Sequence, residues 1–388
     1  MPESAAARVP LRTVAREWTR IGATGFGGPP AHIELLRRLV VDREHWVTPA
    51  ELEDAIAACN LLPGPASTQL AIYLARRVAG PPGAIVGGLC FVTPAVVVIL
   101  ALSALFLSQS PPTWARGAGA GAGSAVAAVA VAAGIGLARP SWRRAGKDGG
   151  RRIRWLAYAL LGGAGAALIG PLLVLVLVGC GVVELTLSTR GGATSPRAWA
   201  PVIPLGAVTV GGVGALAWVA LKVGALSFGG GFVIVPLMQR DAVHTYHWMT
   251  GTAFLNAVAL GQVTPGPLVA TVAAVGYAAH GLGGGVLAAV IAFAPSFLIV
   301  LLAGGYFDRL RTDRRAQAFL DGAGPAAIGA ILGSAIPLTG ALVETWQFIV
   351  LGAAAVALLL LRRGVVLTLV GAGVVGVIVA LAGGPLPG

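Results

Sequence analysis

Residues 60–69 read NLLPGPASTQ and residues 262–271 read QVTPGPLVAT, so Pro-Gly-Pro occurs twice inside long apolar stretches of this chain. Proline removes a backbone donor and clashes with the carbonyl one turn back, so a helix should break at each motif. Glycine permits the chain to reverse, and the second proline suits the first position of a new helix. Each motif therefore predicts two half-helices that meet at a break.

The composition around these motifs predicts that lipid surrounds most of the chain. Of 388 residues, 56% are hydrophobic and only 11% are charged, whereas soluble domains carry about a quarter charged residues. Charge-free runs such as 78–115, 155–183 and 242–307 exceed the roughly 20 residues that a spanning helix needs. The apolar-polar alternation of a membrane barrel does not appear. We expect an all-α polytopic membrane protein with about nine to eleven crossings.

Charge and motif content narrow the class of protein further. The net charge of +12 comes from short connectors between apolar runs, which is typical of cytoplasmic loops and not of a nucleic-acid surface. Cys59, Cys90 and Cys180 lie in apolar runs and are interpreted as buried hydrophobes, so neither a disulfide framework nor a metal cluster is expected. No zinc-protease, esterase or nucleotide-binding motif occurs. We therefore expect a protein that is not an enzyme and needs no cofactor.

The two halves of the chain are related in sequence. A shift of 202 residues aligns 22–71 with 224–273 without a gap, and 17 of the 50 positions are identical. The most specific matches pair Phe26-Gly27-Gly28 with Phe228-Gly229-Gly230, His45-Trp46 with His247-Trp248, and the two Pro-Gly-Pro motifs; Pro94 also aligns with Pro295 at a shift of 201. We predict an N-terminal repeat over residues 1–195 and a C-terminal repeat over residues 196–388.

The arginine-rich loops predict how the halves are oriented. Loops 139–154 and 308–321 should both be cytoplasmic. The first loop follows helix 117–138, but the second precedes the matching helix 322–342. Equivalent helices would therefore cross in opposite directions, which is the inverted-topology repeat of many secondary transporters.

Two further segments bear on this topology. Arg76 and Arg77 place the start of helix 82–108 inside, whereas helix 282–306 follows uncharged residues and should start outside. Segment 11–28 does not fit strict inversion, because its arginines favour the cytoplasm. We expect it to be an amphipathic helix that does not fully span, and not a cleaved signal peptide.

The breaks are also where the chemistry is expected. The first-turn amides of a helix lack intrahelical partners, and each helix start behaves like roughly half a positive charge, which favours anions. Two such starts brought together suit a dianion. The candidate substrate-binding residues are the glycine clusters, the two breaks and the polar residues beside them: Gly27, Gly28, Asn60, Pro63, Gly64, Pro65, Ser67, Thr68, Gln69, Gly229, Gly230, Gly231, Gln262, Thr264, Pro265, Gly266, Pro267 and Thr271.

Plainer interpretations stay open for each of these features. A Pro-Gly-Pro can simply kink a membrane helix, and glycine clusters can serve close helix packing. Lys222 either completes the counter-charge for a dianion or snorkels to an interface. The two His-Trp pairs are interpreted as interfacial anchors.

These residues resemble the chromate transporter (CHR) family in its two-domain form. The resemblance rests on four blocks that cover both halves: FGGPPAHI at 26–33, LPGPASTQ at 62–69, SFGGGFVIVPL at 227–237 and GQVTPGP at 261–267. It implies a secondary transporter that exports chromate across the bacterial plasma membrane, by exchange or symport with sulfate-like ions, and so confers chromate resistance. Asn60 departs from the Gln expected there, which leaves sulfate or another small oxyanion as the alternative substrate. A homodimer is compatible with the sequence.

Overall fold

A computed structural model of the chain describes residues 8–62, 64–108, 110–146, 148–169, 173–189, 212–227, 231–303 and 313–387. These residues form α-helices with short π- and 3₁₀-helical segments, and they contain no strand. The all-α fold class is confirmed. The helices are α1 (Leu11–Thr24), α2 (Pro29–Arg37), α3 (Pro49–Leu61), α4 (Ala66–Phe106), α5 (Thr113–Ser124), α6 (Val126–Arg144), α7 (Gly149–Ala164), α8 (Leu173–Thr189), α9 (Val213–Ala225), α10 (Ile234–Gln239), α11 (Gly251–Val263), α12 (Thr271–Ala303), α13 (Arg314–Gly333), α14 (Ala335–Gly340), α15 (Thr345–Ala355) and α16 (Val365–Leu381).

Four helical stretches of the described chain are long and apolar enough to cross a membrane: Ala66–Phe106, Thr113–Arg144, Leu268–Leu302 and Arg314–Gly340. Five shorter apolar helices accompany them, including α9, α11 and α16. The helix α1 has 14 residues, so it extends for about 21 Å and is shorter than the hydrocarbon core of roughly 30 Å. This length agrees with the expectation that α1 does not fully span, and the total number of crossings stays a prediction.

The sequence repeat is accompanied by a repeat of unusual backbone features. His45 and His247 have φ angles of 52° and 51°, and each follows a six-residue π-helix. The next helix in each half begins at a threonine cap, where Thr48 Oγ1 accepts from the Glu51 amide and Thr250 Oγ1 accepts from the Ala253 amide. Aligned positions thus adopt the same local structure. The predicted domain boundary lies outside the described residues.

The two longest helices, α4 and α12, each bend at an equivalent glycine and pack against one another. Arg76, near the bend of α4, donates to the carbonyl of Leu301 at the end of α12, with an Nη1–O distance of 2.9 Å. At the other end, Leu100 of α4 contacts Gly285, just after the bend of α12. The second parts of α4 and α12 therefore run antiparallel, as an inverted repeat requires. Their orientation in the membrane stays a prediction.

This topology is testable by labelling single cysteines in a chain whose three native cysteines are replaced. Gly149, close to Gly146, and Gly283 both have open space around the position of a Cβ, so cysteine should fit at either site. An impermeant thiol reagent should label Gly283→Cys in intact cells and Gly149→Cys only after permeabilisation. Labelling of both sites in intact cells, or of Gly149→Cys alone, would contradict the inverted arrangement.

The buried apolar side chains of the described residues form a large core, a smaller core, and a third, minor one between α4, α11 and α12. The large core holds Trp18 and Phe91, among others, where α1 and α9 pack on α4 and α12. The smaller core lies where α13 packs against α7 and α8. In that smaller core a Cβ on Gly329 would overlap the carbonyl oxygen of Ala159, so the backbones of α13 and α7 are in direct contact. Small residues allow this close approach in membrane bundles.

Candidate functional site

The first break, between α3 and α4, contains Gly64 and places Pro65 at the cap of α4. Gly64 has a φ angle of 119°, which favours glycine. The amides of Thr68 and Gln69 both donate to the Pro65 carbonyl at 3.0 Å. The first two amides of α4 precede these bonds and have no acceptor within the helix. The predicted pair of half-helices is thus confirmed here.

A buried histidine lies behind this break. His32 is fully buried, with its Nδ1 3.2 Å from Ser67 Oγ and its Nε2 3.0 Å from the Gly25 carbonyl oxygen. A carbonyl can only accept, so Nε2 carries a proton and donates to it. In the neutral ring Nδ1 is then an acceptor, and the Ser67 hydroxyl donates to it. His32 therefore fixes the rotamer of the first polar side chain of α4.

Residues from the second half of the chain complete the surroundings of the first break. A Cβ built on Gly64 would lie 2.6 Å from Gln69 Nε2, 3.3 Å from Ser296 Oγ and 3.4 Å from the Gly224 carbonyl oxygen. The start of α4, the last third of α12 and the end of α9 therefore meet at Gly64. Thr68 and Ser296 are fully buried. Their hydroxyl oxygens have no hydrogen-bond partner among the residues that the structure describes.

The second break, between α11 and α12, has the same backbone conformation. Gly266 has a φ angle of 103°, and its amide donates to the Gly25 carbonyl at 3.0 Å. The chain then makes one 3₁₀ turn, Leu268–Ala270, and the α-helix begins at Thr271. The α-helix therefore begins three aligned positions later here than after the first break, where α4 begins at Ala66. The turn is tighter because the Thr271 amide donates to the carbonyl of Leu268, three residues back, whereas the aligned Gln69 amide donates to Pro65, four residues back.

The two threonine hydroxyls at the second break are engaged in local bonds. Thr264 Oγ1 donates to the Leu260 carbonyl at 2.6 Å, and Thr271 Oγ1 donates to the Leu268 carbonyl at 2.7 Å. Both threonines are buried. Their hydroxyl protons are therefore directed at the backbone of their own helices.

Each break packs against the other half of the chain. The position of a Cβ on Gly64 is 3.4 Å from the carbonyl oxygen of Gly224, in α9, the first described helix of the second half. The position of a Cβ on Gly266 is 3.6 Å from the carbonyl oxygen of Gly22, in the first helix of the first half. Gly22 and Gly224 are aligned positions in the repeat. The two breaks therefore lie at a pseudo-symmetric interface between the halves.

The structure places the predicted site residues in three groups. The first group is buried in or beside the breaks: Gly64, Pro65, Ser67, Thr68, Gln69, Gly231, Thr264, Pro265, Gly266, Pro267 and Thr271. The second group is half-buried or exposed: Gly27, Gly28, Asn60 and Gln262. The third group, Pro63, Gly229 and Gly230, lies outside the described residues. The polar groups nearest to the helix starts are thus backbone amides, side-chain hydroxyls and one side-chain amide, that of Gln69.

Two residues of the first break were not on the sequence-based list. His32 stands in the block FGGPPAHI, so its position beside a glycine cluster was a usable signal. Ser296 follows Pro295, which the repeat aligned with Pro94, but nothing in the sequence brings it to Gly64. That contact joins residues 232 positions apart and depends on how the halves dock.

Lys222 is held by a carboxylate in the described structure. Its Nζ lies 2.5 Å from Asp241 Oδ2, and 5.7 Å from the centre of the Trp218 ring. Asp241 is buried, so each charge compensates the other in a poorly hydrated site. The aligned helix of the first half carries the opposite arrangement, in which Arg43 pairs with Glu17 at 2.7 Å. Lys222 therefore neither snorkels alone nor stands free as a counter-charge.

Broken helices that meet between two related halves of an apolar bundle are typical of membrane transport proteins. Comparison with known families agrees. Residues 12–185 and residues 214–377 each match the family described as chromate transporter. The chain therefore belongs to the chromate transporter family, and its two matched regions correspond to the two-domain form. Family members are transport proteins and not enzymes, and in bacteria this multi-pass protein belongs in the plasma membrane.

Individual relatives cover most of the chain. It is 32% identical over 340 residues to a chromate transport protein of Cupriavidus metallidurans, an alignment that covers 84% of this chain and 82% of that protein. It is 32% identical to a chromate transport protein of Pseudomonas aeruginosa, over 82% of this chain and 79% of the relative. A probable chromate transport protein of Synechococcus elongatus is 28% identical, with 84% of each chain covered. No solved structure matches the chain significantly.

Proposed function

We propose that the protein is a secondary transporter that exports chromate across the plasma membrane, with sulfate as a competing or exchanged ion, and that export confers chromate resistance. The observation that carries this proposal is the buried start of α4 at the first break. Its first two amides, which lack an acceptor within the helix, lie in the same turn as Thr68, and the buried hydroxyls of Thr68 and Ser296 have no partner among the described residues. Membership of the chromate transporter family supports chromate as the transported ion.

The chemistry of the first break suits a tetrahedral dianion. Chromate and sulfate present four oxygen acceptors and two negative charges, while amides and hydroxyls are donors that converge without a full positive charge. Donors aimed at an ionised acceptor make hydrogen bonds about twice as strong as neutral ones, and the helix start adds its partial positive charge. Residues 55–75 contain no Asp or Glu to repel the anion.

The arrangement of the halves supports alternating access. In this proposal residues 1–195 and 196–388 are inverted repeats, and each break is covered by the other half. A rocking movement of one half against the other would uncover the site first on one side of the membrane and then on the other. The contacts of Gly64 with Gly224, and of Gly266 with Gly22, lie in the interface that would have to open.

The membrane potential favours export. Moving two negative charges out of a cell that is negative inside releases about 4.6 kcal/mol per 100 mV. That free energy corresponds to a gradient on the order of a thousandfold. Export of an uncoupled dianion can therefore proceed on the potential alone, whereas one-for-one exchange for sulfate would be electroneutral and would depend on the sulfate gradient instead.

Transport of sulfate or another small oxyanion as the main substrate is the second candidate. Sulfate has the charge and shape of chromate, so amides and hydroxyls distinguish the two poorly. Asn60, where we expected Gln, favours this candidate. It lies on the last turn of α3 and is exposed, so its side chain can contact an ion that approaches the break.

Transport assays in inside-out membrane vesicles test the proposed function. Vesicles that contain the protein should accumulate chromate when their interior is made positive, because outward transport in the cell becomes uptake in this orientation. Excess sulfate should reduce the uptake, and chloride at equal ionic strength should reduce it far less, since chloride has half the charge and a single acceptor atom.

Vesicles from cells that lack the protein provide the background. Chromate uptake equal to that background under every imposed potential and ion gradient would rule out the chromate assignment. Uptake of sulfate without chromate would instead establish the second candidate.

A further inference from the structure

The two breaks share a backbone conformation but not a set of hydrogen-bond donors. The first turn after the first break reads Ser67-Thr68-Gln69, whereas the aligned turn after the second break reads Val269-Ala270-Thr271. Two of the three positions have therefore lost their polar side chain in the second half. A pseudo-symmetric interface in this chain encloses two chemically different sites.

The residues that cover the two breaks also differ in polarity, and again the first break has the polar one. Ser296 Oγ is 3.3 Å from the position of a Cβ on Gly64, while the side chain that meets the corresponding position on Gly266 is Ala95, at 2.6 Å. Ser296 and Ala95 each follow the aligned prolines of their helices. The second half thus supplies a hydroxyl to the first break, and the first half supplies only a methyl group to the second.

Three donors at the second break are engaged, whereas the buried Ser227 hydroxyl, which lies near Gly231 and Leu268, has no partner among the described residues. The Gly266 amide donates to Gly25, and the hydroxyls of Thr264 and Thr271 donate to carbonyls of their own helices. At the first break Thr68 and Ser296 are 0% exposed, and their hydroxyls have no partner among the described residues. A buried hydroxyl without a partner is destabilising, and an anion bound at the first break would supply an acceptor to both Thr68 and Ser296.

We infer that the oxyanion binds at the first break alone, where Ser296 of the second half and Thr68 of the first half donate to it, and that the second break is a structural joint. This inference rests on the proposed function and names the residues of its site. The ligand class is a small tetrahedral oxyanion, because it presents several acceptors, and the first break offers hydroxyls from α4 and α12 together with the amides at the start of α4. Ser296, in the second half of the chain, then contacts an ion that is bound at the helix start of the first half.

The site also accounts for the role of His32. The imidazole Nδ1 accepts the Ser67 hydroxyl proton, and Nε2 donates to the Gly25 carbonyl that also receives the Gly266 amide. Ser67 is therefore turned away from the ion by His32, and Thr68 and Ser296 are the hydroxyls that remain. His32 is a positioning residue that ties the binding break to the structural one.

Matched substitutions at the two breaks test this assignment. Ser296→Ala and Thr68→Val each remove one hydroxyl donor from the first break. Thr271→Val is the control, because it removes the Thr271 hydroxyl from the aligned turn of the second break. The measured quantities are the Kd of the purified protein for radiolabelled sulfate and chromate, the KM for vesicle uptake, and the thermal midpoint. Losing one hydrogen bond to an ion should weaken binding about tenfold to a hundredfold.

We expect Ser296→Ala and Thr68→Val to raise Kd and KM by that factor with little change in thermal midpoint. Ser296→Thr keeps the hydroxyl and should bind more tightly than Ser296→Ala. Thr271→Val should change the affinity by less than about threefold. Adding Ala95→Ser to Ser296→Ala moves the hydroxyl to the other break, and this should not restore binding.

Three results would overturn the inference: wild-type affinity in Ser296→Ala, equal weakening by Ser296→Ala and Thr271→Val, or recovery of binding in the double variant. Each of these requires a wild-type protein that transports oxyanions, so the proposed function would survive them. A wild-type protein that neither binds nor transports chromate or sulfate would instead contradict the proposed function itself.

Discussion

Gly64→Ala is expected to lower chromate transport by about 100-fold or more while the protein remains in the membrane. The φ angle of 119° at Gly64 is strained for alanine, and the new Cβ would lie 2.6 Å from Gln69 Nε2 and 3.3 Å from Ser296 Oγ. The substitution therefore both strains the break and enters the proposed site. The measurement is vesicle uptake, normalised to the amount of inserted protein.

Gly383→Ala is the matched control for Gly64→Ala. Gly383 has a φ angle of 74°, no atom lies within 4 Å of its Cβ position, and it follows α16, which is not part of either break. Gly383→Ala introduces backbone strain without affecting a break, so its transport rate should stay near that of the wild type. Normal transport by Gly64→Ala would show that the first Pro-Gly-Pro motif only kinks the helix.

Alanine in place of Pro63, Gly64 and Pro65 together should have an effect at least as large. The triple variant should join α3 and α4 into one helix, because alanine favours helix and no proline remains to interrupt it. The first two amides of α4, which have no acceptor within α4, would then be bonded within the longer helix. The same change at Pro265, Gly266 and Pro267 should also stop transport, in this case by removing the bond from Gly266 to Gly25.

Gly329→Leu is expected to leave almost no folded protein. A Cβ on Gly329 would overlap the Ala159 carbonyl oxygen, and a Cβ on Gly162 would overlap the Ala326 carbonyl oxygen, so α13 and α7 have no room for a side chain between them. Forcing them apart would open the smaller core along its length. Size-exclusion profiles of a fluorescent fusion in mild detergent would measure the loss.

Gly324→Leu in the same helix provides the comparison, since no atom lies within 4 Å of its Cβ position. That variant should elute as the wild type does. A single symmetric peak of normal height for Gly329→Leu would show that α13 and α7 do not pack through their backbones.

The sequence predicted the features that depend on local chemistry. Proline and glycine at residues 63–65 and 265–267 break a helix wherever they stand, so both breaks could be located before the structure. The aligned threonine caps and the long apolar runs are local in the same sense. The fold class follows from such signals because lipid demands that nearly every backbone group be bonded within its own segment.

The features that depend on docking between the halves could not be predicted. Ser296 reaches Gly64 only because α12 crosses the start of α4, and no pattern within either helix encodes that contact. The hydrogen bond from the Thr264 hydroxyl to the Leu260 carbonyl could not be predicted either. A threonine hydroxyl in a helix can donate to the carbonyl one turn back or to a ligand, and residue type alone does not decide between them.

The packing of each break against the opposite half has a consequence for biosynthesis. The N-terminal half emerges from the ribosome first, and domains generally fold in that order. At that stage the start of α4 has reached the bilayer, but Gly224 and Ser296, which later cover Gly64, have not been made. Until the second half is inserted, the first half therefore has polar backbone exposed at membrane depth. Insertion factors or water must solvate these groups during that time.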